Sequence, residues 1–191
     1  MAVDRPPIPE RPLLRGERIW LRPIEERDLA SYVAGVNDSE VGGMAGYPWP
    51  QSQSQATAWW QKVMEGWGRD GFYFTVCVLG EDRFIGTTWL KELNLVQGSA
   101  ELAIFMDHEH IGGGWGADAQ RTLLRFGFGQ LGLERIYLTA FVGNRRAIRS
   151  YEKIGFLHEG VMRHAWRGLD GFQDGVLMSM LRDEWRAGEA G

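Results

Sequence analysis

Four glycines lie between positions 112 and 116, in the run Ile111-Gly112-Gly113-Gly114-Trp115-Gly116-Ala117. No other stretch limits the local conformation so tightly. Residues 100–106, Ala-Glu-Leu-Ala-Ile-Phe-Met, precede it and read as a strand. Residues 117–131 follow it and read as a helix, with Leu124, Phe128 and Leu131 at helical spacing and Gly132 as its stop. A glycine turn from strand to helix lets bare backbone N–H groups converge on one point. The helix N-terminus adds the positive end of its dipole, and the two together form a phosphate site. The bland alternative is a surface turn that holds nothing.

Three phosphate ligands are compatible with such a turn. A nucleotide P-loop needs Lys and Ser or Thr after its glycines, where this chain has Trp115 and Gly116. Residues 114–119, Gly-Trp-Gly-Ala-Asp-Ala, fit the dinucleotide pattern G-x-G-x-x-A. That pattern also asks for an acidic residue at the end of the next strand, and Glu134 precedes its strand instead. The third ligand is the pyrophosphate of coenzyme A. The turn resembles the acyl-CoA loop of the GNAT N-acetyltransferases, Q/R-x-x-G-x-G/A, with Gly114 and Gly116 at the small positions and Ile111 where the family often has Gln or Arg.

The rest of the chain reads as residues 17–23 strand, 25–37 helix and 38–50 loop. A helix capped by Ser52 or Ser54 then runs through Trp67, followed by strands over 72–79, 83–93 and 100–106. After the glycine run come a helix to 131, a strand over 134–142, a helix from Asn144 that stops at Gly155, and strands over 156–163 and 172–181. The order β-α-α-β-β-β-α-β-α-β-β mixes antiparallel strands with one β-α-β step. A dinucleotide fold would alternate strand and helix throughout, so the order weighs against that reading.

Composition narrows the classes further. Lys plus Arg total 21 against 25 Asp plus Glu, a net charge of −4, so no nucleic-acid partner is expected. No apolar run reaches the roughly 18 residues of a membrane span, so no membrane partner is expected. The single cysteine, Cys77, excludes an internal disulfide and a cysteine-rich zinc site and reads as a buried thiol. Residues 1–14 read as an extended, proline-rich leader and 187–191 as a tail, on a cytoplasmic protein. Nine tryptophans point to broad apolar contact surfaces, at a pocket or a subunit interface, which leaves a homodimer open.

The most specific segment is Asn144-Arg145-Arg146-Ala147-Ile148-Arg149-Ser150-Tyr151-Glu152-Lys153-Ile154-Gly155-Phe156. Asn144 and Tyr151, seven apart, share one helix face and lie about 10 Å apart along the axis. An extended pantetheine arm can run beside that face, while the bland reading is a helix cap and a core ring. The segment resembles the closing motif of the GNAT family, N-x-x-A/S-x-x-x-Y/L-x-K-x-G-F. With residues 159–163 and 174–178 it looks most like the branch acting on ribosomal-protein N-termini and small amines.

The resemblance implies an α/β fold of α+β type over residues 15–186, as a single acetyltransferase domain. Its mixed, mostly antiparallel twisted sheet would be splayed at the fourth and fifth strands and flanked by about four helices. It implies acetyl-CoA as cosubstrate, no metal, and direct attack by a primary amine, a small molecule or a peptide N-terminus. Backbone groups of Ile104, Phe105 and Met106 would pair with pantetheine. Ile111, Gly112, Gly113, Gly114, Trp115, Gly116 and Ala117 would hold the pyrophosphate, and Asn144, Ala147, Arg149 and Tyr151 would flank the arm. Tyr151 would be the general acid for the thiolate.

Some relatives carry a Glu base in the strand before the closing helix. Here that stretch is Leu138-Thr139-Ala140, so Glu101 is the expected base, acting through water, with His108, His110 and His164 as further choices. His108 and His110 flank Glu109 at no metal spacing. Tyr47, Trp49 and Trp89 are expected to line the acceptor pocket. A non-catalytic acyl-CoA-binding module is the alternative, and a dinucleotide-dependent oxidoreductase is a more distant one.

Overall fold

The computed structural model describes residues 8–44, 46, 49–168 and 171–189. Its frame is one eight-stranded sheet in the order β1-β2-β3-β4-β5-β6-β8-β7. The strands are β1 (Leu14–Arg15), β2 (Ile19–Pro23), β3 (Gly71–Val78), β4 (Phe84–Asn94), β5 (Ser99–Met106), β6 (Arg135–Phe141), β7 (Leu157–Gly168) and β8 (Gly171–Leu181). Every neighbouring pair is antiparallel except β5 and β6. Those two run parallel and pair only at Ser99↔Arg135, Ala100↔Ile136 and Glu101↔Tyr137. Beyond Glu101 they part. This is the splay expected between the fourth and fifth of the strands read from the sequence.

Among the described residues the α-helices number six rather than about four: α1 (Leu29–Val36), α2 (Ser39–Met44), α3 (Gln53–Glu65), α4 (Trp115–Leu124), α5 (Arg145–Ile154) and α6 (Arg182–Glu189). Two fall where a loop and a chain end were expected. Helix α2 lies in the glycine-rich stretch read as loop. Asp38 nucleates it by accepting from the N–H groups of Glu40 and Val41, both at 2.9 Å. Gly42 is required by close approach, because a Cβ there would sit 2.0 Å from the Val36 carbonyl oxygen at the end of α1. Helix α6 covers residues assigned to the domain end and tail, and Glu184 caps it by accepting from Leu181 N at 2.8 Å. Of the two offered caps for α3, Ser52 is the one used: it accepts from Gln55 N at 3.2 Å, and Gln55 answers by accepting from Ser52 N at 2.8 Å.

Side chains alternate across the strands and split the core into two layers. Leu102 and Ile104 of β5 join Leu90, Leu123, Leu124, Leu138 and Tyr151 on the α4–α5 face. Ala103 and Phe105 join Tyr32, Val36, Val41, Trp59 and Trp89 on the α1–α3 face. Consecutive residues of β5 therefore look into opposite halves of the molecule. Cys77 lies at 0% exposure, the buried thiol its apolar strand implied.

Candidate active site

The glycine run adopts the backbone that only glycine takes without strain. Gly112, Gly113 and Gly114 have φ of 88°, 61° and 85°, three left-handed residues in succession, and Gly114 is the N-cap of α4. A Cβ added at Gly112 or Gly114 would meet nothing within 4 Å, so open space stands above the turn. These are the features of an anion cradle at the N-terminus of a ten-residue helix.

The cradle is held from outside by the turn between β1 and β2 and the first residue of β2. Asp118 of α4 accepts from the N–H groups of Arg18 (2.7 Å), Glu17 (3.0 Å) and Ile19 (3.3 Å). Arg18 returns along the loop, donating to the Gly113 carbonyl at 2.7 Å with its guanidinium 3.7 Å from the Trp115 ring centroid. Trp115 therefore braces the turn from behind and does not line the cavity in front of it.

That cavity, of about 800 Å³, fills the gap between β5 and β6. Its walls come from both core layers: Ile104, Met106, Ala147 and Tyr151 from one, Val41, Trp59, Trp89 and Phe105 from the other. It therefore runs through the sheet from one face to the other. Most of the residues named from the sequence meet here. Glu101, Ile104, Phe105, Met106, Ile111, Gly112, Gly113, Gly114, Gly116, Ala117, Asn144, Ala147, Arg149, Tyr151 and Trp89 all border it. Trp49 does not: it is 59% exposed and outside the lining. Tyr47 lies outside the described residues.

The α4–α5 side carries polar and cationic side chains. Asn144 uses Oδ1 to cap α5, accepting from Ala147 N at 3.2 Å. Its Nδ2, 3.5 Å from the Met44 carbonyl, is the end left to serve a ligand. The Tyr151 side chain is buried, and burial pushes its phenol up to about 12. Arg149 and Lys153, one turn apart and exposed, flank the same wall.

Gln120 was not singled out in the sequence. It is 3% exposed on α4, borders the cavity, and its Oε1 has no hydrogen-bond partner. A buried amide without a partner costs about 1–3 kcal/mol unless something satisfies it. A 180° turn of the amide lets it present either a donor or an acceptor. Its signal was legible: a polar residue one turn after Gly116 and one turn before Leu124, on a stripe otherwise small or apolar.

On the α1–α3 side Glu101 sits at the floor, at the last register position where β5 and β6 pair. It is buried, accepts from Thr139 Oγ1 at 3.1 Å, and lies 3.1 Å from Lys91 Nζ. Trp59, Tyr73 and Trp89 wall the space above it, with ring centroids 5.8–6.0 Å apart. The Nε1 of Trp89 is buried without a partner.

Of the three histidines considered, His110 alone borders the cavity, its Nδ1 2.6 Å from Asp107 Oδ1. His108 is exposed beside Glu40, and His164 lies on β7 away from the cavity. Among the described residues no group of three or more His, Cys, Asp or Glu is placed to hold a metal ion, and no helix is long and apolar enough to cross a membrane.

A sheet opened between two strands, with an anion cradle on one face of the gap and a carboxylate under aromatic rings on the other, defines a two-substrate group-transfer protein. A family model for the acetyltransferase (GNAT) domain matches residues 18–157, and the chain belongs to that family.

Among similar proteins, the SPbeta prophage-derived uncharacterized N-acetyltransferase YokL of Bacillus subtilis is 24% identical, over 89% of this chain and 93% of its own. The putative ribosomal N-acetyltransferase YdaF of the same organism is 28% identical, over 88% and 94%. A spermidine N(1)-acetyltransferase of Vibrio cholerae is 31% identical over a shorter match, 55% of this chain and 61% of that one. The crystal structure of a spermidine N-acetyltransferase from Vibrio cholerae, in complex with CoA and spermine, superposes with a TM-score of 0.82 at 25% identity, over 88% of this chain and 98% of that one.

Proposed function

We propose that this protein transfers the acetyl group of acetyl-CoA to a primary amine, a small molecule or a peptide N-terminus, by direct attack. The observation that carries this reading is the cavity at the β5–β6 gap, walled by residues of both sheet faces, which suits two ligands meeting there. The β5 edge turned toward that gap, at Ile104, Phe105 and Met106, has backbone groups to offer pantetheine. The glycine cradle suits the pyrophosphate, and Arg149 and Lys153 suit a further phosphate. The unpartnered Gln120 Oε1, with Asn144 Nδ2, suits the amides of the pantetheine arm. Relatives named as N-acetyltransferases and the CoA-bound neighbour support the same assignment.

In the step itself the amine nitrogen attacks the thioester carbonyl carbon, the C–S bond breaks, the amine gives up a proton and the sulfur takes one. Glu101, held by Lys91 and Thr139, is the proposed proton acceptor, through a water. Backbone N–H groups of β5 near Phe105 are the proposed donors to the carbonyl oxygen. Tyr151 is the proposed acid for sulfur. A phenol near 12 facing a thiol of ordinary value about 8.5 does not release its proton completely. It stays protonated at neutral pH and donates a hydrogen bond as thiolate charge builds, and the departing thiolate takes its proton from water.

The mostly antiparallel sheet, with its single parallel pair, does not support the dinucleotide reading. The proposal includes a single acetyltransferase domain over residues 15–186 and a cytoplasmic setting, where acetyl-CoA is supplied. Thiol release from acetyl-CoA, screened over peptides, polyamines and other amines, tests it. Turnover with at least one amine is expected. Tight CoA binding without turnover on any amine would leave the non-catalytic binding module.

A further inference from the structure

We infer that the acceptor is a monoamine on an apolar, aromatic body, and not a polyamine. The inference rests on the acetyl-transfer reading and concerns the half of the cavity on the α1–α3 side. Three rings make its wall. Trp59 stacks on Tyr32 at 5.0 Å and lies 5.9 Å from Trp89 and 6.0 Å from Tyr73, while Tyr73 and Trp89 are 5.8 Å apart. Val41, Met44 and Phe105 add apolar surface. Rings locked against one another in this way lose little freedom when a flat apolar body lies on them, and their faces also tolerate one ammonium group.

Charge decides between one ammonium group and several. Among the described residues bordering the cavity there is one carboxylate, Glu101; of the cations there, Arg149 and Lys153 lie on the side that suits CoA phosphate, and Arg146 lies 3.5 Å from Glu40. Glu101 is already compensated by Lys91 at 3.1 Å. A polyamine brings two or more ammonium groups, and each one taken from water needs an anionic partner. No second carboxylate borders the cavity among the described residues.

The test is a set of kcat/KM values, by thiol release from acetyl-CoA, for 2-phenylethylamine, tryptamine, putrescine, spermidine and a short peptide with a free serine N-terminus. The two arylalkylamines are expected to exceed spermidine and putrescine by tenfold or more. Trp89→Ala is expected to lower their kcat/KM by tenfold or more while the Kd for CoA, by titration, stays within twofold. Should Trp89→Ala fail to fold, Trp59→Leu is expected to show the same pattern. A polyamine or the peptide as the best acceptor would overturn the inference and leave acetyl transfer standing. Folded variants at both tryptophans with unchanged kcat/KM for the arylalkylamines would overturn it too. Turnover of no amine, with CoA still bound, would overturn acetyl transfer itself and this inference with it.

Discussion

The guanidinium of Arg18 lies 3.7 Å from the centroid of the Trp115 ring, and the same side chain donates to Gly113 O at 2.7 Å. The residue just before β2 thereby fastens a loop about a hundred positions later. The backbone beside it is held in turn by Asp118. Asp118→Ala should leave three N–H groups to water or unpaired and cost about 1–3 kcal/mol. The CoA Kd should rise several-fold with kcat at saturation nearly unchanged. Urea denaturation and CoA titration read the two effects. A variant as stable as the parent, with CoA affinity intact, would show that the brace does not shape the cradle.

Gly114→Val should abolish the thermal shift that CoA confers on the folded protein. The cause is the backbone, since the Cβ itself meets nothing. At φ 85° a β-branched residue is strained, and relaxing it turns the N–H groups away from their common point. Gly114→Ala should lose only part of the shift. Normal CoA binding by folded Gly114→Val would remove the phosphate assignment from this turn.

Tyr151→Phe keeps the ring and its edge contact with Phe156 at 6.1 Å, so stability and CoA affinity should hold. Losing the hydroxyl should lower kcat by roughly 10- to 1000-fold, the range of a general acid. A single-turnover measurement belongs beside the steady state, because slow product release masks a chemical effect. An unchanged single-turnover rate would leave Tyr151 a packing residue.

Gln120→Leu should raise the melting temperature of the free protein, because it removes a buried amide oxygen with no partner. It should also weaken CoA several-fold while leaving the affinity for 3′,5′-ADP, which lacks the pantetheine arm, unchanged. Equal loss for both ligands would place Gln120 at the nucleotide end, and no loss for either would make it a structural irregularity.

Asp28 carries the stability prediction. Burial drives its carboxyl up, but hydrogen bonds from Arg22, Glu25 N and Thr75, with the Arg22 charge, outweigh burial and hold it below the ordinary range. A depressed carboxylate stabilises the fold above its unfolded value, near 3.9, and that contribution is lost as the pH falls through the folded value. Asp28→Asn should therefore cost about 3 kcal/mol at pH 7 and flatten the acid side of the stability curve. An acid limb identical to the parent's would contradict this account.

The parts of the molecule readable from residue order are those governed by neighbours along the chain. Three successive glycines accept positive φ because they lack a Cβ, and Asn144 caps α5 through Ala147, three positions on. Period-two and helical spacings located most strands and helices, while the break between the fourth and fifth of those strands was implied only by the resemblance to the GNAT family. Where local cues conflict the reading failed. The glycines of α2 look like loop until Gly42 is seen to make room for the end of α1. Trp49, chosen for its aromatic ring, is exposed and outside the cavity lining. Other functional features depend on residues far apart in sequence. Glu101 meets Thr139 across 38 positions and Arg18 meets Gly113 across 95. The exit of β5 from pairing after Glu101 turns two ordinary faces of a sheet into one passage. Residue types and spacing determined the cradle and the helix beside it. Which side chains share the passage, and that Gln120 and Trp89 enter it unpartnered, only the tertiary packing decided, because burial and hydrogen-bond satisfaction exist only once distant segments have met.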